Sequence, residues 1–166
     1  MSCPSRRLLV LLFAGCGLAA PAPARLGDTL ADLKKRFDSP APQIRRDDSN
    51  ATWLFDQDDT GQLAYTVTFN AKGRSIAEGL KPVKRARFPK ETALDFIEQQ
   101  LAPFRDSKTQ RIMKPGEKYR FAGREFLCGK EEYVVLDEPR GLLLIWSQVV
   151  DPAVMVVSPE IFSRGN

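Results

Sequence analysis

The chain has 166 residues, 25 of them Lys or Arg and 21 Asp or Glu, with three cysteines and no histidine. A formal charge of +4 is too small an excess for a nucleic-acid binder, which gathers basic residues into a stripe interleaved with stacking aromatics, so nucleic acid is not expected as a partner. The lack of histidine removes the usual zinc ligand and the base that a serine or cysteine nucleophile commonly needs.

Met1 to Ala24 reads as a signal peptide. Arg6 and Arg7 supply its positive end, Leu8 to Ala20 is apolar, and Ala22-Pro23-Ala24 offers small residues for a signal peptidase. The apolar run is too short to remain as a transmembrane span. Cleavage after Ala24 predicts a periplasmic or secreted chain beginning at Arg25. The alternative is a lipid anchor, because Leu12-Phe13-Ala14-Gly15-Cys16 has the form of a lipobox with Cys16 as the modified residue. Either way Arg6 and Arg7 are lost and 23 bases face 21 acids. Cys3 and Cys16 belong to this segment, so Cys128 is expected to be a lone buried thiol.

Residues 25–82 predict a helix followed by an antiparallel meander. Thr29 can cap a helix to Phe37 with Asp32 three residues on, Leu30, Leu33 and Phe37 share a face, and Lys34 to Arg36 suit its C-terminal end. Ser39-Pro40 stops it, and Gln43 to Asn50 reads as a polar link. Trp53 and Phe55 then lie on one side of a strand. Leu63, Tyr65, Val67 and Phe69 alternate with Ala64, Thr66, Thr68 and Asn70, which is the period of a strand with one buried face. Asn70-Ala71-Lys72-Gly73 is a turn, and Arg74 to Leu80 returns as a third strand. The aromatic face predicts packing of Trp53, Tyr65, Val67 and Phe69 under Leu30, Leu33 and Phe37.

Leu26-Gly27-Asp28-Thr29, the helix ending before Ser39-Pro40, the Trp53 strand, and the strand closing on Phe69 with its Gly73 turn resemble the SmpA/OmlA (BamE-like) family. The resemblance spans roughly Leu26 to Leu80 and implies an envelope protein of helix-on-sheet form.

Lys81 to Lys90 reads as a basic linker, with Lys81, Lys84, Arg85, Arg87 and Lys90 and no acid. Either it is a solvated connection or it meets an anionic partner. Residues 83–166 repeat the plan. Glu91 to Leu101 predicts a helix with Leu94, Ile97 and Leu101 as its stripe, and Pro103 ends it. Strands follow at 110–114, 119–121, 124–128, 133–137, 142–147 and 154–157. Val134 to Leu136 and Leu142 to Trp146 are continuously apolar, which predicts burial on both faces or at the join between the halves. The expected fold class is α+β, two helix-plus-antiparallel-meander halves packed together.

Candidate chemistry is thin. Asp56, Asp58 and Asp59 open like a calcium loop, but its twelfth place is Val67 inside a strand; a looser site would add Asp47 and Asp48. Glu131 with Glu132, and Asp137 with Glu138, are adjacent acids that a strand would point to opposite faces. No catalytic, cofactor-binding or metal residue is assigned. The sequence predicts an exported cell-envelope binding or scaffold protein that is not an enzyme. The alternative is a secreted enzyme inhibitor with Tyr119 or Tyr133 as exposed anchors.

Overall fold

The computed structural model describes residues 26–37, 43–46, 49–57, 61–83, 88–104, 108–148 and 152–163. The leader with Cys16, the Ser39-Pro40 stop, and Lys84, Arg85 and Arg87 of the basic run lie outside the described residues.

The first helix, α1 (Leu30–Arg36), is short and needs its cap. Thr29 Oγ1 accepts from the Asp32 amide at 3.2 Å while Asp32 Oδ2 accepts from the Thr29 amide at 2.9 Å, closing a capping box. These bonds, the Thr29 hydroxyl's foremost, hold the Asp32 carboxyl below the usual carboxylate range. The helix is pinned to the meander by the backbone before it: the Gly27 amide donates to the Ser75 carbonyl and the Ser75 amide to the Asp28 carbonyl, each at 2.8 Å.

The meander has four strands, β1 (Gln43–Arg46), β2 (Asn50–Gln57), β3 (Gly61–Phe69) and β4 (Ser75–Pro82). β1 is the difference from the sequence reading: Gln43-Ile44-Arg45-Arg46 has no apolar alternation, yet it pairs with β2 as an edge strand, where charge is favoured. Lys81 and Pro82 also belong to β4 rather than to a linker. The β3–β4 turn is built as its residues imply. Asn70 Oδ1 accepts from the amides of Lys72 and Arg74 at 3.0 Å each, and Gly73 takes a φ of 70°.

The second half supplies α2 (Lys90–Leu101), β5 (Arg111–Met113), β6 (Lys118–Phe121), β7 (Arg124–Leu127), β8 (Glu132–Asp137), β9 (Leu142–Ser147) and β10 (Ala153–Val157). The protein is α+β. Among the described residues eight antiparallel strands form one sheet in the order β1-β2-β3-β4-β10-β9-β8-β5, and β6 and β7 make a separate hairpin. The two halves join where β10 pairs with β4, Val156 opposite Glu78 and Met155 opposite Gly79. A Cβ on Gly79 would stand 3.1 Å from the Val154 carbonyl oxygen and 3.3 Å from Met155 Cβ, so glycine lets the strands meet closely.

Each face of the sheet carries a core. On one, Leu33 of α1 and Ala93, Phe96 and Ile97 of α2 cover Trp53, Tyr65, Val67 and Phe69 together with Val135, Leu144 and Val156. Phe37 holds this layer, its ring centroid 5.2 Å from Trp53 and 5.0 Å from Tyr65. On the other face the hairpin brings Tyr119 and Phe121 over Val134, Leu136, Leu143 and Val157. Neighbours along β8 and β9 therefore serve opposite cores, which is why those strands read as unbroken apolar runs.

Phe69→Ala and Phe121→Ala should each lower unfolding free energy by about 3–5 kcal/mol, one from each core. Leu127→Ala, at a side chain 62% exposed, should change it by about 0.5 kcal/mol or less. Urea unfolding of the three variants measures this; a small loss at Phe121 would mean that the hairpin face is not a core.

Candidate functional site

The polar centre of the molecule lies under the helices. Glu78, on β4, is 1% exposed, and an isolated carboxylate there would be costly. Three donors meet it: Tyr65 OH donates to Oε2 at 2.5 Å, Ser75 Oγ to Oε1 at 2.8 Å, and Gln100 Nε2 to Oε2 at 3.3 Å. Ser75 Oγ in turn accepts from the Gly27 amide at 2.9 Å, which ties the network to the start of α1. Beside it Arg36 pairs with Asp28. Burial pushes the Glu78 carboxyl above the ordinary range, against the bonds from Tyr65 and Ser75 and the charge of Arg36. Burial, then the charge of Glu78, pushes the Tyr65 hydroxyl well above its usual value.

Ser75 and Gln100 also stand in the wall of an open cavity of about 730 Å³ at one end of the sheet. Both halves build it. The β3–β4 turn supplies Lys72 and Arg74, the turn between β8 and β9 supplies Arg140, and the segment after β10 supplies Ser158 and Glu160. Arg74 Nη1 donates to the Gly27 carbonyl at 3.0 Å, and Asn70 Nδ2 to Glu160 Oε2 at 2.8 Å, so the rim is held by bonds between segments distant in sequence.

Comparison with protein-family models, curated proteins and solved structures gives no match for this chain. The geometry has to carry the functional reading.

The residues weighed from sequence are scattered. Asp56 is exposed and accepts from Gln62 Nε2 at 2.7 Å, while Asp47, Asp48, Asp58 and Asp59 lie outside the described residues. Among the described residues no three potential metal ligands gather. Glu132 Oε2 accepts from the Gly129 amide at 2.7 Å. Asp137 is buried and accepts from Thr109 Oγ1 at 2.7 Å, whereas Glu138 is exposed. The acids of each pair thus sit in different surroundings. Cys128 is buried, and that burial pushes its thiol up, so it is poorly set to ionise.

Tyr119 corrects an expectation. It is 6% exposed, stacks on Phe126 at 5.5 Å, and has its hydroxyl pushed up to about 12, by burial first and the charge of Glu132 second. Tyr133 packs against the main core. Neither ring is an exposed anchor: Tyr119 belongs to the interior, as the alternation of its strand implies, and Tyr133 is half-buried.

Sequence reasoning missed Glu78, Gln100 and the cavity. The available signal was Glu78 itself, the one acid in the run Ser75-Ile76-Ala77-Glu78-Gly79-Leu80; only the register opposite Val67 shows that it points inward.

Because the folded chain binds the Glu78 proton more tightly than the unfolded chain, this group favours folding most at acid pH. Its contribution declines as pH rises from about 4.3, the ordinary glutamate value, through the raised folded value. Glu78→Gln removes the titration. Its unfolding free energy relative to wild type should therefore improve as pH rises from about 4 and level off once pH passes the raised folded value. Urea unfolding across that window tests this, and a pH-independent difference between the two proteins would refute the raised value.

Proposed function

We propose that this protein is an exported binding protein of the cell envelope, periplasmic or secreted, which holds its ligand in the cavity at the end of the sheet and performs no chemistry on it. One observation carries the reading: a preformed cavity of about 730 Å³ assembled at the junction of two halves, within the size range and at the kind of place where small-molecule sites occur. Binding is favoured over catalysis by the fate of the reactive-looking groups beside it. Ser75 and Glu78 are 2% and 1% exposed and are bonded to each other. A hydroxyl and a carboxyl spent in this way hold the wall in place.

Export is supported by Arg6-Arg7, the apolar run to Ala20 and the small residues before Arg25. The SmpA/OmlA-like order of the first half supports an envelope setting. Among the described residues no helix is long and apolar enough to cross a membrane.

Cell fractionation with N-terminal sequencing should recover the chain outside the cytosol, beginning at Arg25. If the lipobox is used instead, the chain starts at a lipidated Cys16, and Cys16→Ala should release it from the membrane fraction. A cytosolic chain retaining Met1 would overturn the proposal.

A further inference from the structure

The cavity carries a charge pattern that narrows its ligand. Lys72, Arg74 and Arg140 stand on its rim against a single carboxylate among its described lining residues, Glu160, whose Oε2 accepts from Asn70. Among the lining residues three cations face one anion, a positive excess around a concave site where low-dielectric walls focus the field, with the Asp32 carboxylate outside the lining also in reach of Arg74. Arg74 is fixed in place by its bond to the Gly27 carbonyl. A guanidinium has five N–H donors in a planar fork, so that bond leaves it able to grip an oxyanion. The cavity walls also offer apolar surface from Leu26, half-buried, and from the exposed Ala71 and Pro103, while Ile76 and Leu142 back them from the core; such surface has no use for a fully hydrated ion.

We propose that the cavity binds a small amphiphilic anion, its carboxylate or phosphate head on Lys72, Arg74 and Arg140 and its hydrocarbon body against Leu26, Ala71 and Pro103. The inference rests on the reading of the cavity as the binding site. The two heads share one chemistry, an oxyanion with at least two acceptor oxygens. A cationic amphiphile would meet repulsion at the rim, and a bare inorganic anion would leave the apolar wall uncovered.

Isothermal titration of the chain purified from its producing cells, with four probes, tests this. Octanoate and octyl phosphate are the two anionic amphiphiles, octyltrimethylammonium reverses the head charge, and inorganic phosphate lacks the body. The expected result is that octanoate, octyl phosphate or both bind at least about tenfold more tightly than either control. The stronger of them identifies the head. Lys72→Glu with Arg140→Glu should weaken that binding by about tenfold or more with the unfolding midpoint kept. Should that pair disturb folding, Lys72→Gln with Arg140→Gln should still weaken it by about threefold. Failure of both anionic amphiphiles to bind, equal binding of the cation, or equal binding of inorganic phosphate overturns the inference, as does indifference to the substitutions. None of these results bears on export, which the N-terminal sequence decides separately.

Discussion

The pairing of β10 between β4 and β9 is the constraint on which the rest of the structure depends. Without it the first four strands end in an open edge at β4, the second half ends in an open edge at β9, and each sheet is narrow. With it the backbone groups of both edges are satisfied and eight strands share one twist. Among the described strands it comes last in sequence, so the eight-stranded sheet cannot close before the other strands have been made. Val154 and Val156 on its helix face, fully buried, and Val157 on its hairpin face then belong to the two cores at once. Such non-local pairing also implies slower folding than a helical bundle of equal size, since the loop entropy comes before the contacts.

The same junction explains the polar centre. Val156 lies opposite Glu78 on one side, and Val67 lies opposite it on the other. A carboxyl between two valines and beneath a helix is tolerable only because Tyr65, Ser75 and Gln100 arrive from three different elements to donate to it. The network joins β3, β4 and α2, and through Gly27 it reaches the segment that opens α1. A satisfied polar cluster of this kind fixes the angle of the helices over the sheet, because a shifted helix would leave a buried donor or acceptor unpaired.

The cavity follows from where the elements stop. α2 gives way at Leu101 to a short turn containing Pro103, β10 ends at Val157, and the turns after β3 and β8 both reach toward that end of the sheet. Turns must keep their backbone near water and carry polar residues, so the end of the sheet gathers Lys72, Arg74 and Arg140 around a wall that mixes Ser75 and Gln100 with Leu26 and Pro103. A concave site rimmed by cations results from four elements stopping at one place, none of which has that character by itself.

By itself the sequence determined the elements. The Thr29 and Asp32 box, the alternation from Leu63 to Phe69 and the apolar runs of β8 and β9 are local patterns whose period or chemistry admits one structure. The face of α2 was legible only in part: Ile97 is buried as its spacing implies, but Leu94, expected on the same stripe, is 45% exposed, and Ala93, Phe96 and Gln100 fill the buried side. It also determined that Trp53, Tyr65 and Phe69 would need a cover and that a short capped helix stood ready to supply it. The β1 strand escaped because an edge strand has no buried face to impose a period. Only the tertiary structure decided that β10 enters the middle of the sheet, that the β6–β7 hairpin folds onto the second face, that Glu78 points inward, and that three cations from separate turns share one rim. Those facts depend on register and on contacts between residues far apart in the chain. A one-residue slip would send Glu78 to the opposite face with no change in the sequence pattern that encodes the strand.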